Sequence, residues 1–116
     1  MKIAIPVDEN KKDVCVAFAR APYMMIWENG SFELLDNPAA QAQGGAGVKA
    51  AQFVVDSGAD ALVTVRCGEN AAKLMQAAEI AIYKSEGSSA EENAKACAEQ
   101  KLALLTHFHA GYHGAL

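Results

Sequence analysis

The sequence predicts a single α/β domain whose five strands form one mixed sheet. Asn29-Gly30 lies between two extended segments and is typical of a two-residue β-hairpin turn. Two later apolar segments, 61–65 and 80–84, each follow a helix that is apolar on one face, which is the pattern of parallel strands joined by helical crossovers. A chain of 116 residues is long enough for one such core and too short for two.

The first half of the chain is predicted to be mostly strand. Residues 2–7 are almost entirely apolar and are followed by a polar loop, so they form a first strand. Residues 22–28 and 31–36 flank the Asn-Gly turn and therefore form the two arms of a hairpin. Pro38 cannot continue the third strand.

The second half is predicted to alternate helices with strands. Residues 47–57 place Val48, Ala51 and Val55 on one face, so this helix packs on a sheet, and Gly58 follows its end. The later elements are a strand at 61–65, a helix at 69–78, a strand at 80–84, a helix from the capping box at 88–92 to about residue 100, and a C-terminal tail at 101–116.

The connections between these elements predict the topology. A meander of the first three strands and right-handed crossovers to the last two give the order 3-2-1-4-5, with strand 2 antiparallel. Four connecting segments, 8–22, 37–47, 66–70 and 85–89, then meet at one end of the sheet. The carboxyl ends of parallel strands are where open α/β sheets bind ligands, so the binding site is expected at this end.

Composition excludes several classes of protein. The net charge of −4 without a basic block argues against a nucleic-acid partner. No apolar run approaches the ~20 residues that cross a bilayer, and residues 1–7 lack the features of a signal peptide, so a cytoplasmic protein without a membrane partner is expected. Three cysteines without a CxxC pair predict neither a disulfide framework nor a structural zinc site.

Cys67 is the leading candidate ligand, because it follows a buried strand and precedes a helix. The positive end of that helix and the guanidinium of Arg66 would both lower the pKa of the thiol. A soft thiolate suits iron, copper or molybdenum–sulfur centres. The alternative is a buried thiol with no chemical role, since free cysteine is among the most buried residue types.

Glycines and arginines are predicted at the same end of the sheet. Gly44, Gly45 and Gly47 at a helix start would present backbone N–H groups to an anion, or would only permit a tight turn. Arg20 and Arg66 would either pair with an anionic ligand or neutralise nearby carboxylates, of which Asp8, Asp13 and Glu69 are the candidates.

All three histidines, His107, His109 and His113, lie within seven residues of the tail. Their spacing suits zinc, copper or iron, and an extended tail of ~3.3 Å per residue could return His107 to the binding end of the sheet. The alternative is a solvated or subunit-contacting tail, because chain ends are commonly mobile.

Several motifs are familiar: the strand 1–7, Phe18-Ala-Arg-Ala-Pro-Tyr23, Asn37-Pro38, Gly44-Gly-Ala-Gly47 and Cys67-Gly-Glu-Asn-Ala71. With them, residues 1–100 resemble the dinitrogenase iron–molybdenum cofactor biosynthesis domain, found alone in NifX-like proteins and at the C-terminus of NifB-like ones. The resemblance implies a three-layer ribonuclease H-like α/β/α sandwich that binds metal–sulfur clusters, and it adds Gly68 and Asn70 to the candidate cofactor-binding residues. The family position that matches Cys67 is often not cysteine.

The sequence therefore predicts a non-enzymatic binding or carrier protein for a metal–sulfur cluster containing iron and/or molybdenum. Cluster donor and acceptor proteins are the expected partners, and the chain is expected to be a monomer or a weak homodimer. The second candidate is an interaction or regulatory module that binds no metal. The third candidate is a redox enzyme that uses Cys67. A nuclease is rejected because Asp8 has no second carboxylate at the end of strand 61–65.

Overall fold

The computed structural model of the protein describes residues 1–109. In this part of the chain no helix is both long and apolar enough to cross a membrane. The elements are β1 (Lys2–Val7), β2 (Tyr23–Glu28), β3 (Ser31–Asp36), α1 (Ala46–Asp56), β4 (Ala61–Thr64), α2 (Glu69–Ala77), β5 (Ala81–Lys84) and α3 (Ala90–Ala98).

The five strands form one mixed sheet in the predicted order, β3-β2-β1-β4-β5. β2 is antiparallel to β1 and β3, while β4 is parallel to β1 and β5. In the hairpin, Asn29 and Gly30 have φ values of 52° and 87°. Two consecutive positive φ angles match the right-handed twist of the flanking strands, which explains why the Asn-Gly pair predicts the turn correctly.

Helices cover the sheet on both sides and produce three layers. Ile3, Ile5 and Val7 of β1 pack with α3 on one face, whereas Ala4 points to the other face and packs with α1 and α2. Successive side chains of a strand point to opposite faces, so a strand buried on both sides carries no polar alternation. The predicted α/β/α architecture is confirmed.

β1 and β3 have the predicted bounds, and the bounds of the other elements differ from the predicted ones by one or two residues. The largest difference is at the end of α3, which is Ala98 instead of the predicted residue 100. Gln100 has a φ of 61°, a left-handed conformation that terminates the helix. At its start, the hydroxyl of Ser89 accepts a hydrogen bond from the N–H of Glu92, which is the predicted type of cap.

Residues 101–109, hereafter the C-terminal segment, pack on the domain. The N–H of Lys84 donates to the carbonyl of Ala103, and the N–H of Leu105 donates to the carbonyl of Ile82, both at 2.9 Å. Leu102 is buried on the α3 side, while Leu105 and Phe108 pack on the α1/α2 side. The segment thus passes around the edge of the sheet at β5. His113 lies outside the described residues.

Candidate functional site

A cleft of about 800 Å³ lies at the end of the sheet where β4 leads into α2. Four segments form it: 16–20, 43–48, 66–71 and the end of the C-terminal segment. The candidate residues that line it are Arg20, Gly44, Gly45, Gly47, Arg66, Cys67, Gly68, Asn70 and His109. His107 is exposed to solvent and is not part of the lining, so among residues 1–109 the histidine that reaches the site is His109.

Two helices begin at this cleft. The first intrahelical bond of α1 runs from the N–H of Lys49 to the carbonyl of Gly45 (3.0 Å), and that of α2 runs from Ala72 to Gly68 (3.0 Å). Neither helix has a side-chain cap. The first-turn N–H groups of a helix have no acceptor within it, and each helix start carries partial positive charge. The glycine loop, residues 43–47, lies at one of these helix starts and lines the cleft, so its backbone N–H groups are candidate donors to an anion.

Close packing keeps the two helix starts side by side. A Cβ built on Gly47 would lie 3.8 Å from the Cβ of Ala71, an ordinary contact distance. Gly45, the residue before α1, has a φ of 65°, and this left-handed conformation favours glycine. Gly45 therefore needs the conformational freedom of glycine, and the glycine loop also lines the cleft, while the binding of an anion by its N–H groups stays a prediction.

Arg66 carries a positive charge at the cleft without a compensating carboxylate. Its side chain is exposed, and within residues 1–109 the ion pair that forms is between Lys101 and Glu99. Of the two alternatives for Arg66, neutralisation by an acidic residue is therefore not seen within residues 1–109, and pairing with an anionic ligand stays a prediction. An isolated guanidinium beside two helix starts attracts anions.

Arg20 has a different environment. Its guanidinium donates to the carbonyl of Ala42 and, at 3.4 Å, to the carbonyl of Ala40. It forms no ion pair with Asp8 or Asp13, so the alternative in which Arg20 neutralises a carboxylate is not seen among the described residues either. The guanidinium lines the cleft and at the same time holds the loop that precedes α1.

Cys67 does not have the environment expected of a reactive thiol. Its side chain is 1% exposed and belongs to the core that includes Phe18 and Met75. Burial raises the pKa of the Cys67 thiol to about 12, and the S–H donates to the carbonyl of Gly68 at 3.6 Å. The expected low pKa is wrong, because the side chain enters the core instead of facing the helix start. A buried, protonated thiol is a poor metal ligand.

His109 is attached to the turn between β4 and α2. Its N–H donates to the carbonyl of Cys67 (3.2 Å), and its carbonyl accepts from the N–H of Glu69 (2.9 Å). Its imidazole lies beside Gly68, where a Cβ would be 3.4 Å from the His109 Cε1 atom. Within residues 1–109 no three potential ligands among His, Cys, Asp and Glu converge on one point, so His109 has no ligand set around it.

Two apolar residues of the cleft were missed by the sequence reasoning. Val48 was predicted on the buried face of its helix, yet it is 45% exposed and lines the cleft. Val16 is 56% exposed at the same opening. Helical periodicity places Val48 on the apolar stripe, but it cannot show that a cleft opens beside the first turn of α1. The cleft therefore combines positive charge and backbone donors with apolar side chains.

Comparisons with known proteins agree with this architecture. The chain is 26% identical to the apo form of the orange protein from Desulfovibrio gigas, with a TM-score of 0.80 over 90% of this chain and 92% of that one. It is 34% identical to a candidate NifB protein from Thermotoga, with a TM-score of 0.73 over 92% and 95% of the two chains. An uncharacterised protein of Methanocaldococcus jannaschii is 31% identical over 107 residues, which cover 88% of this chain and 89% of the relative.

The family model described as dinitrogenase iron-molybdenum cofactor matches residues 1–100. The predicted family resemblance is confirmed over the same range. This is a family of accessory domains in cofactor biosynthesis, as the sequence predicts, and not a family of catalysts. The chain belongs to the dinitrogenase iron-molybdenum cofactor family.

Proposed function

We propose that the protein binds or carries an anionic metal–sulfur cluster, containing iron and/or molybdenum, during cofactor assembly or storage. Family membership supports a role in iron–molybdenum cofactor biosynthesis. The observation that supports cluster binding is the charge of the cleft: two helix starts and two arginines line it, and no Asp or Glu of residues 1–109 does. Such an arrangement favours an anionic ligand.

The cluster is held by charge and hydrogen bonds more than by metal coordination. Cys67 is buried and protonated, and the described residues contain no group of three protein ligands. A cluster whose metal atoms are already bound by its own sulfide ions needs no metal ligand from the protein. Backbone N–H groups of the glycine loop and of Gly68 donate to its sulfur atoms, and Arg66 balances its charge. His109 is then a single side-chain contact at the edge of the cleft.

An open cleft is suited to exchange of the cluster between proteins. Val16 and Val48 are exposed at its opening, where a donor or acceptor protein would meet the cluster. The three unpaired cysteines and the expected oxygen sensitivity of the cluster support a reducing, cytoplasmic location. The proposal includes a monomer or weak homodimer and neither a nucleic-acid nor a membrane partner.

One observation favours a second candidate, an interaction or regulatory module that binds no metal. Cys67, the strongest candidate ligand in the sequence, has a raised pKa of about 12 and is sequestered in the core. The same observation argues against the third candidate, because a redox enzyme of that kind needs Cys67 as an accessible thiolate. The first two candidates differ in one property, which is whether the cleft holds an anionic metal–sulfur species.

Tetrathiomolybdate, a small molybdenum–sulfur dianion with a visible absorption spectrum, is a suitable probe of the cleft. Titration of the full chain under anaerobic conditions should give saturable binding that weakens as salt increases. Arg66→Gln should weaken this binding about tenfold, the loss of one charge-assisted contact. Lys73→Gln on the exposed surface of α2 makes the same change of charge outside the cleft and is the matched control. Equal effects of the two substitutions would contradict the proposed site.

A further inference from the structure

We propose that Arg20 is a positioning residue, which holds the glycine loop in place, while Arg66 is the arginine that contacts the ligand. The identity of the ligand rests on the proposed function. The effect of Arg20 on the glycine loop does not rest on the proposed function, because it can be measured in the protein without ligand. The inference assigns different roles to two arginines that the sequence alone treats as equivalent.

The connecting loop between β3 and α1, residues 37–45, is attached to segment 19–21 at two points. The first is Asn37, whose side chain is 5% exposed. Its amide donates to the carbonyls of Ala19 (3.0 Å) and Ala21 (2.9 Å), and its oxygen accepts from the N–H of Ala39 (3.0 Å). These bonds hold the beginning of the connecting loop.

The second attachment is the guanidinium of Arg20 on the carbonyls of Ala40 and Ala42. Beyond Ala42, no hydrogen bond joins Gln43 or Gly44 to another segment within residues 1–109. A Cβ on Gly44 would meet no atom within 4 Å, so packing does not hold the backbone there. Arg20 is therefore the last contact before the residues that present N–H groups to the cleft.

The chemistry of the guanidinium suits this role. Both bonds come from one terminal nitrogen, Nη1, whose two N–H groups are fixed in the plane of the guanidinium, whereas the N–H groups of a lysine ammonium rotate at the end of a flexible chain. Arg66, by contrast, makes no hydrogen bond or ion pair through its side chain to another described residue. Replacing either arginine by lysine keeps the positive charge. Only at position 20 does it also remove the planar N–H groups that bond the two loop carbonyls.

The test compares Arg20→Lys and Arg20→Gln with Arg66→Lys in the full chain. In the ligand-free protein, the {1H}-15N heteronuclear NOE of Gly44 and Gly45 should fall in both Arg20 variants and stay unchanged in Arg66→Lys. Binding of tetrathiomolybdate should weaken about tenfold in Arg20→Lys, since one pair of hydrogen bonds that orders the site is lost, and less than about twofold in Arg66→Lys. Unchanged amide spectra elsewhere will establish that each variant is folded.

Two results would overturn the inference. One is an Arg20→Lys variant with an unchanged NOE at Gly44 and Gly45. The other is Arg20→Lys with wild-type affinity when Arg20→Gln has lost it, because that pattern requires only the charge of Arg20 at the ligand. If the wild-type protein does not bind tetrathiomolybdate at all, the proposed function fails, and the NOE values still decide whether Arg20 holds the loop.

Discussion

The imidazole of His109 lies against Gly68, the residue that precedes α2, and the carbonyl of His109 accepts the N–H of Glu69 in the first turn of that helix. The C-terminal segment thus satisfies one of the donors that a helix leaves unpaired at its start. The end of the segment forms one wall of the cleft. A change in the packing of the C-terminal segment would therefore also change the shape of the cleft.

Truncation after Gln100 should destabilise the whole domain. It removes the buried Leu102 and the partly buried Leu105 and Phe108, so the free energy of unfolding should fall by about 2–5 kcal/mol. Urea unfolding followed by circular dichroism measures the difference. His107→Ala removes only an exposed imidazole and should stay within about 0.5 kcal/mol of the wild type. An unchanged unfolding midpoint after truncation would mean that the C-terminal segment does not pack as described.

Two neighbouring glycines should respond differently to alanine. Gly45 has a φ of 65°, so Gly45→Ala should cost about 1–2 kcal/mol of folding free energy. No atom lies within 4 Å of the new Cβ, so the cost comes from the backbone alone. Gly44→Ala, which has equal space and no left-handed φ, should change stability by less than about 0.5 kcal/mol. Thermal unfolding of the two variants makes the comparison, and equal losses would argue against the described turn.

Asn37→Asp should be strongly destabilising although the two side chains have the same shape. A carboxylate cannot donate to the carbonyls of Ala19 and Ala21, and it would be charged in a buried position. The expected loss is about 2–4 kcal/mol in urea unfolding at neutral pH. Gln41→Glu, the corresponding change at an exposed residue of the same loop, is the control and should have little effect. Similar stabilities of the two variants would exclude Asn37 as an anchor of the loop.

Cys67 should make the protein less stable at alkaline pH. Burial disfavours the thiolate and raises the pKa of the thiol from its ordinary value of 9.0 to about 12 in the folded protein. Above pH 9 the unfolded chain releases this proton and the folded chain retains it, so the stability falls as pH rises from 9 towards 12. Cys67→Ala should reduce this slope when urea unfolding is compared at about pH 8 and about pH 10.5, on either side of the unfolded-state pKa. An identical slope in the two proteins would place the thiol in solvent.

The topology of the sheet could be predicted from the sequence because each signal is local. The Asn29-Gly30 turn fixes the hairpin, and the one-sided helices impose parallel crossovers, so the end at which Arg66 and the glycine loop meet follows from connectivity. The family resemblance then indicated the class of ligand. None of these steps required knowledge of a side-chain direction.

The environment of each site residue could not be predicted, because it depends on packing between segments distant in sequence. Position alone places Cys67 at a helix start, and only the packed structure shows that its side chain enters the core with Phe18. The bonds from Arg20 to Ala40 and Ala42 join segments about twenty residues apart, and no local pattern encodes them. The attachment of His109 to Gly68 depends on the path of the C-terminal segment around β5.

The content of iron, molybdenum and acid-labile sulfide in the anaerobically purified full chain tests the central claim most directly. It should be measured before and after incubation with molybdate, iron and sulfide, together with the visible spectrum. We expect a coloured protein that gains metal and sulfide in a fixed ratio, and loses both in high salt because charge holds the cluster. A colourless protein whose metal content never rises above background under either condition would contradict cluster binding.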